Sequence, residues 1–199
     1  METTESIKLV IQVRNGNGKA FNQLVKGWYQ KIYNYSYKFF GDHDQAMEIT
    51  QKTFIAVHQN FAKLNDPAAF KSWLYQIAIN FCKEETRKSK RKWLFPFVSF
   101  KKQDNLIISE IKDATESPVV NMEQADLNQI IVKALAKLPD EQRTVVIMKE
   151  YEGLKFREIA KVLGISENTV KSRMYYGLKH LREIFELWNL KKENTYYEH

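Results

Sequence analysis

The stretch from Phe156 to Arg173, FREIAKVLGISENTVKSR, leaves little choice of local geometry. Phe156, Ile159, Ala160 and Leu163 recur at helical spacing and predict the buried face of a short helix. Gly164 supplies the positive φ of a tight turn, because without a Cβ it enters the left-handed region at no steric cost. Ile165 then plugs the space between two helices, Ser166 caps the next one, Glu167 puts an acid at its positive end, and Val170 faces inward. Ala160 is small enough to let the two helices approach closely. The result is a helix-turn-helix whose second helix runs from about Ser166 to Leu187.

On that second helix Glu167, Asn168, Lys171, Ser172 and Tyr175 fall on the exposed face, with Arg173 on its flank. Near the start of a recognition helix, Asn, Lys and Arg reach base edges and phosphates in a major groove. Asn168, Thr169, Lys171, Ser172 and Arg173 are therefore the candidate duplex-reading residues. The plainer alternative is a helical hairpin with a solvated basic face. The ordered Ala–Gly–Ile–Ser set favours DNA.

The rest of the chain is helical in pattern too. Ile7, Val10 and Ile11 begin a first helix, and Asn15 to Gly18 breaks it. Phe21, Leu24, Val25, Trp28, Ile32 and Tyr35 follow at spacings of three and four, one apolar stripe on a long helix. Gly41-Asp42 reads as a C-cap glycine followed by an N-cap, opening a helix with Ala46, Ile49, Phe54 and Val57. Asp66-Pro67 opens another through Phe70, Trp73, Leu74, Ile77 and Phe81. Then RKSKRK, Arg87 to Lys92, puts five basic residues in six and is followed by a stretch without sustained period. Periodicity resumes at Leu127, Ile130, Ile131, Ala134, Leu135 and Leu138. No run alternates long enough to build a sheet. The expectation is an all-α chain of two small helical domains joined by a flexible linker, with residues 1–92 and 122–190 as the domains, 93–121 as linker and 191–199 as a tail.

Composition narrows the function. With 31 Lys and Arg against 24 Asp and Glu, the net charge of +7 favours an anionic partner, nucleic acid before membrane. Cys82 stands alone, which excludes an internal disulfide and a cysteine-cluster zinc site. His43, His58, His180 and His199 show no metal-ligand spacing. There is no phosphate-cradling glycine loop and no nucleophile–base motif, so neither an enzyme, a cofactor nor a small-molecule substrate is expected. Met1 to Ile7 carries acids and no signal-peptide core, and no apolar run is long enough to span a bilayer, so a soluble, cytoplasmic protein is expected.

The order Leu138-Pro139, Arg143, Val145, Glu152-Gly153, Glu158-Ile159-Ala160, Leu163 to Ser166 and Thr169 to Arg173 resembles the promoter-reading fourth region of bacterial sigma factors, in their extracytoplasmic-function (ECF) branch. LuxR-type regulators share the helix-turn-helix, but they would carry a sensor or receiver domain ahead of it. Here residues 20–91 instead resemble the second sigma region. Ala46 to Phe54 is similar to the helix that binds the clamp helices of the polymerase, which implies a polar docking face of Glu48, Gln51 and Lys52. Lys52 departs from the family, which usually has an acid there. Phe70 to Asn80 is similar to the family's F..WL..IA.N signature, whose helix and preceding loop capture the melted −10 strand.

Single-stranded DNA needs a base pocket and cationic guidance for its phosphates. The loop Asn60 to Ala69 offers a pocket, Asn80 both a donor and an acceptor, and Lys83, Arg87, Lys88, Lys90 and Arg91 the charge. Glu84 stands where the family commonly has Asp. The apolar Phe70, Trp73, Leu74 and Ile77 read as core. Cys82 reads as an inert half-buried thiol. In the linker, Trp93, Phe95, Phe97 and Phe100 are apolar, while Asp104, Glu110, Asp113 and Glu116 are acidic. The resemblance implies an alternative sigma factor that directs core RNA polymerase to promoter DNA and assists −10 melting, held by an anti-sigma factor that is often membrane-bound. The competing readings are an autonomous DNA-binding regulator and a helical adaptor that binds no DNA.

Overall fold

The computed structural model describes residues 3–94 and 122–196, with side chains at 4–89 and 127–188. Among them there is no strand. The first domain holds α1 (Thr3–Arg14), α2 (Gly18–Phe40), α3 (His43–Gln59) and α4 (Phe70–Leu94), with two 3₁₀ turns, Phe61–Lys63 and Pro67–Ala69, before α4. The second holds α5 (Met122–Lys137), α6 (Asp140–Glu150), α7 (Phe156–Leu163) and α8 (Glu167–Tyr196). The two helical units are as expected. The linker aromatics and acids, the side chains of Lys90 and Arg91 and the tail lie outside the described residues, apart from the backbone that α4 and α8 carry.

Capping sets the boundaries. The Asn17 side chain accepts from the backbone N–H groups of Lys19 and Ala20, satisfying donors that the first turn of α2 leaves free. Gly41 ends α2 at φ 72°, its N–H donating 2.7 Å to the Tyr37 carbonyl. Asp42 then accepts from Gln45 N–H at 2.8 Å to start α3. The Asp66-Pro67 opening takes a different form from the one expected: the Asp66 carboxylate accepts from Ala68, but the turn is 3₁₀, and the α-helix begins at Phe70.

Ala20, Leu24, Trp28, Ile32, Tyr35 and Phe39 bury one face of α2. Trp28 sits at the centre, edge-on to Phe70 and Tyr75, and its indole N–H donates 3.1 Å to Ser6 Oγ, which ties α1 to the core. α1 buries Leu9 and Val10, while Ile11 stands 46% exposed on the outer side of the same short helix. In the second domain Ala134, Leu135 and Leu138 are buried as the periodicity predicts, but Leu127 and Ile130 face solvent and Val132 is buried in their place. α7 likewise buries Ile159 and Val162 fully, and Phe156, Ala160 and Leu163 only in part. Cys82 is fully buried rather than half-buried, and burial pushes its thiol well above the ordinary cysteine range.

The two domains are packed together. Leu135, Leu138, Val145, Met148 and Leu154 join Tyr35, Phe39 and Tyr75 in one continuous apolar core. α2 meets α5 and α6, and α4 meets α7.

Candidate nucleic-acid and polymerase interface

The helix-turn-helix forms as its residues dictate. Gly164 takes φ 65° at the end of α7, and the Ser166 hydroxyl accepts from Thr169 N–H at 3.0 Å to cap α8. At the other end of α7 the Glu158 carboxylate accepts from Lys155 N–H at 2.7 Å. Ile159, Val170 and Met174 are buried between the two helices. α8 continues past the expected Leu187 to Tyr196.

The candidate reading face is open. Asn168, Lys171 and Ser172 are exposed, and Thr169 is half-buried behind the cap. Tyr175 and Tyr176 extend the face at 66% and 52% exposure, with their rings edge-on. Both candidate duplex-reading cations, Lys171 and Arg173, have acidic partners. Lys171 Nζ lies 3.1 Å from Glu167 one turn earlier, and Arg173 Nη2 lies 2.5 Å from Glu141 on α6. Exposed pairs of this kind contribute about 0–1 kcal/mol each, so phosphates can displace them. The Arg173–Glu141 pair aims the guanidinium from a second element and has no trace in local spacing.

In the first domain Asn80, Lys83 and Arg87 are all exposed on α4. Their spacing of three and four sets them on one stripe. Beside it Lys88 Nζ bonds Glu84 at 2.8 Å and lies 3.9 Å from Glu85. The pairing with Lys88 holds the Glu84 carboxyl below its ordinary range. Glu48 and Gln51 are exposed on α3, and the departing Lys52 pairs with Glu48 one turn away. Lys52 therefore offsets the charge of the candidate docking acid inside its own helix. The Lys52 charge also favours ionised Glu84, and that of Glu48 favours protonated Lys88. The candidate polymerase face of α3 and the candidate −10 face of α4 are thus electrostatic neighbours. Among the described residues no group of three or more His, Cys, Asp or Glu side chains is placed to hold a metal ion.

Arg143 and Glu152 belong to the region-four pattern in the sequence, but nothing in that pattern gave them or Tyr75 an interdomain role. Arg143 Nη1 donates 2.8 Å to the Phe39 carbonyl, and Nη2 donates to Ala136 and Leu138 carbonyls at 3.0 and 2.9 Å. Its guanidinium also lies 4.7 Å from the centre of the Phe39 ring and 3.5 Å from Asp140. The Tyr75 hydroxyl on α4 donates to Glu152, in the turn after α6. Burial raises the Glu152 carboxyl above its ordinary range, against the opposing effects of the Tyr75 hydrogen bond and of Lys31, Lys38 and Lys71.

A two-domain helical protein with an exposed helix-turn-helix face on one domain and a cationic stripe on the other has the layout of a DNA-reading factor of transcription. Residues 24–92 match the family model of sigma-70 region 2, and residues 128–181 that of sigma-70, region 4. The chain is 30% identical over 176 residues to the ECF RNA polymerase sigma factor SigW of Bacillus subtilis, covering 88% of this chain and 94% of that one. It is 26% identical to the ECF RNA polymerase sigma-E factor of Haemophilus influenzae, covering 89% and 92% of the two. In fold it resembles CnrH, solved in complex with the cytosolic domain of CnrY, with a TM-score of 0.66 at 22% identity over 92% of this chain and 98% of that one. It also resembles the sigma factor RpoE of Bartonella quintana, solved with the anti-sigma factor NepR, with a TM-score of 0.63 at 20% identity over 84% and 98%. The chain belongs to the ECF sigma factors of the sigma-70 family. It is an alternative RNA polymerase sigma factor that directs promoter-specific transcription.

Proposed function

We propose that the two domains divide promoter recognition between them, residues 1–92 serving core polymerase and the −10 element, and residues 122–190 the −35 element. Glu48, Gln51 and Lys52 dock on the polymerase. Asn80, Lys83, Arg87, Lys88 and Arg91 guide the melted −10 strand, and Asn168, Thr169, Lys171, Ser172 and Arg173 read the −35 duplex. The observation that carries this reading is the exposure of Asn168, Lys171 and Ser172 on α8 and of Asn80, Lys83, Arg87 and Lys88 on α4, with Asn80, Lys83 and Arg87 in one line. Few cations face the duplex, so affinity for DNA alone is weak, and the polymerase brings the factor to its site. The bond-making chemistry belongs to the polymerase. Its place of action is the cytoplasm, in keeping with the lack of any membrane-crossing helix among the described residues. An anti-sigma factor restrains it, as NepR binds the RpoE it resembles.

The test is co-elution with bacterial core RNA polymerase, followed by transcription from a randomised promoter library. A stoichiometric complex that initiates at a shared −35/−10 pattern is the expected result. Failure of folded protein to bind core would return the chain to the autonomous-regulator or adaptor reading.

A further inference from the structure

The geometry points to Glu141 as a positioning residue for duplex reading: from α6 it holds one side of the Arg173 guanidinium and leaves a second side directed at the −35 element, given that α8 reads that element as proposed above.

The aim is set by a second helix. α6 packs along α8, and Arg173, Gly177 and His180, spaced by four and three on α8, meet it on one stripe. Gly177 lets the two helices close in, since a Cβ built there would lie 2.9 Å from Val146 Cγ2 and 3.7 Å from the Gln142 carbonyl oxygen. On one side of this close approach the His180 ring and the Gln142 side-chain amide hydrogen-bond at 2.8 Å. On the other, Arg173 Nη2 meets Glu141 at 2.5 Å. Rolling α8 on α6 would break these contacts, so Glu141 holds a fixed place relative to the face that carries Asn168, Lys171 and Ser172. Lys171 is the contrast. Its partner Glu167 stands on α8 itself, 3.1 Å away, and both side chains are about half exposed. That pair moves with its own helix and fixes no direction. Arg173 is confined at both ends: its side chain is only 24% exposed, and Glu141 holds its head.

A guanidinium carries five N–H donors in a planar fork. Among the described residues no other acid pairs with Arg173, and Glu141 engages Nη2. Whichever N–H of Nη2 it takes, one edge with two parallel donors is left. Such an edge matches paired acceptors in the major groove, as O6 and N7 of a guanine are. At a matching base pair Arg173 keeps Glu141 and bonds the base together. Elsewhere the acceptors within reach are phosphates in other directions, and turning to them breaks the ion pair. Glu141 thereby penalises off-target contacts of Arg173 and raises discrimination rather than affinity. The plainer role for this acid is to sit in the first turn of α6, at the positive end of that helix. That role affects stability and is indifferent to Arg173.

The test uses the full-length chain with core polymerase. Run-off transcription is compared between a promoter selected from the randomised library and single-base changes in its −35 element. The ratio of the two is the readout, because a uniform change in DNA affinity cancels from it. Glu141→Gln is expected to lower the ratio at least three-fold at one or two adjacent base pairs and to leave the other −35 positions alone. In an Arg173→Ala background the same change should leave every ratio as it was. Glu141→Asp keeps an acid at the helix end but stops one methylene short of Arg173, so it should lose the same ratio as Glu141→Gln. An unchanged ratio in Glu141→Gln would overturn the assignment. So would a loss spread evenly over the element, a loss that persists without Arg173, or full discrimination by Glu141→Asp. Wild-type holoenzyme indifferent to every −35 change would overturn the −35 reading itself, and that result needs no variant.

Discussion

Gly177 lies inside α8, where an alanine would ordinarily help. Replacing an interior helical glycine by alanine gains about 1 kcal/mol in backbone propensity. Here the new Cβ would stand 2.9 Å from Val146 Cγ2 and 3.5 Å from Gln142 Cβ, both on α6. Val146 is 2% exposed and β-branched, so its methyl cannot swing away within the helix. Overpacking of this kind costs about 1–3 kcal/mol. The clash wins, and Gly177→Ala is expected to destabilise the second domain by about 1 kcal/mol, lowering its melting temperature by about 4–8 °C. Thermal and urea unfolding followed by circular dichroism measure it. A second variant isolates the cause: in a Val146→Ala background the same Gly177→Ala change should become neutral or stabilising, a coupling of about 0.5–3 kcal/mol between touching residues. A Gly177→Ala protein more stable than wild type, or strict additivity in the cycle, would refute the close-approach argument.

Three other outcomes follow from the site. Asn80→Ala should leave polymerase binding intact and impair open-complex formation, seen by permanganate reactivity of the −10 strand; equal loss of both would remove Asn80 from strand capture. Arg173→Ala should weaken promoters that depend on their −35 element and reduce the salt slope of promoter binding by about 0.9, with an unchanged −35 footprint as the contrary result. Glu152→Gln tests a pH dependence. Because burial raises the Glu152 carboxyl above its ordinary 4.5, its proton is favoured in the folded state, and the stability it contributes is present below that value and lost as pH rises through the raised one. Glutamine keeps an acceptor for Tyr75 without the charge. The variant should therefore match wild type in acid and exceed it at neutral pH, and a gap that widens towards acid would contradict the assignment.

The elements themselves were legible because their signals are local. Gly41-Asp42 and Ser166 act on backbone groups three or four residues away, so reading them required no knowledge of the rest of the chain. The same holds for the reading face of α8, whose residues share one side by helical period alone. Where burial depended on a neighbouring helix, the periodicity was ambiguous: Leu127 and Ile130 lie on a face of α5 that faces solvent, and the Val132 side turns to Gly41.

By itself, then, the sequence determined two helical domains, the turn at Gly164 and the candidate residues that face DNA, because caps, period and glycine geometry are properties of short segments. Only the tertiary structure decided how those domains meet. Arg143 and Phe39 are 104 positions apart, and Tyr75 and Glu152 are 77 apart. No periodicity links such positions, and the contacts arise only once helix ends from both domains bring unpaired carbonyls and a partly buried carboxylate within reach of a guanidinium and a phenol. The pairing of Arg173 with Glu141 has the same origin. The local code places the cation on the recognition helix, and packing of α6 against α8 determines which acid it meets.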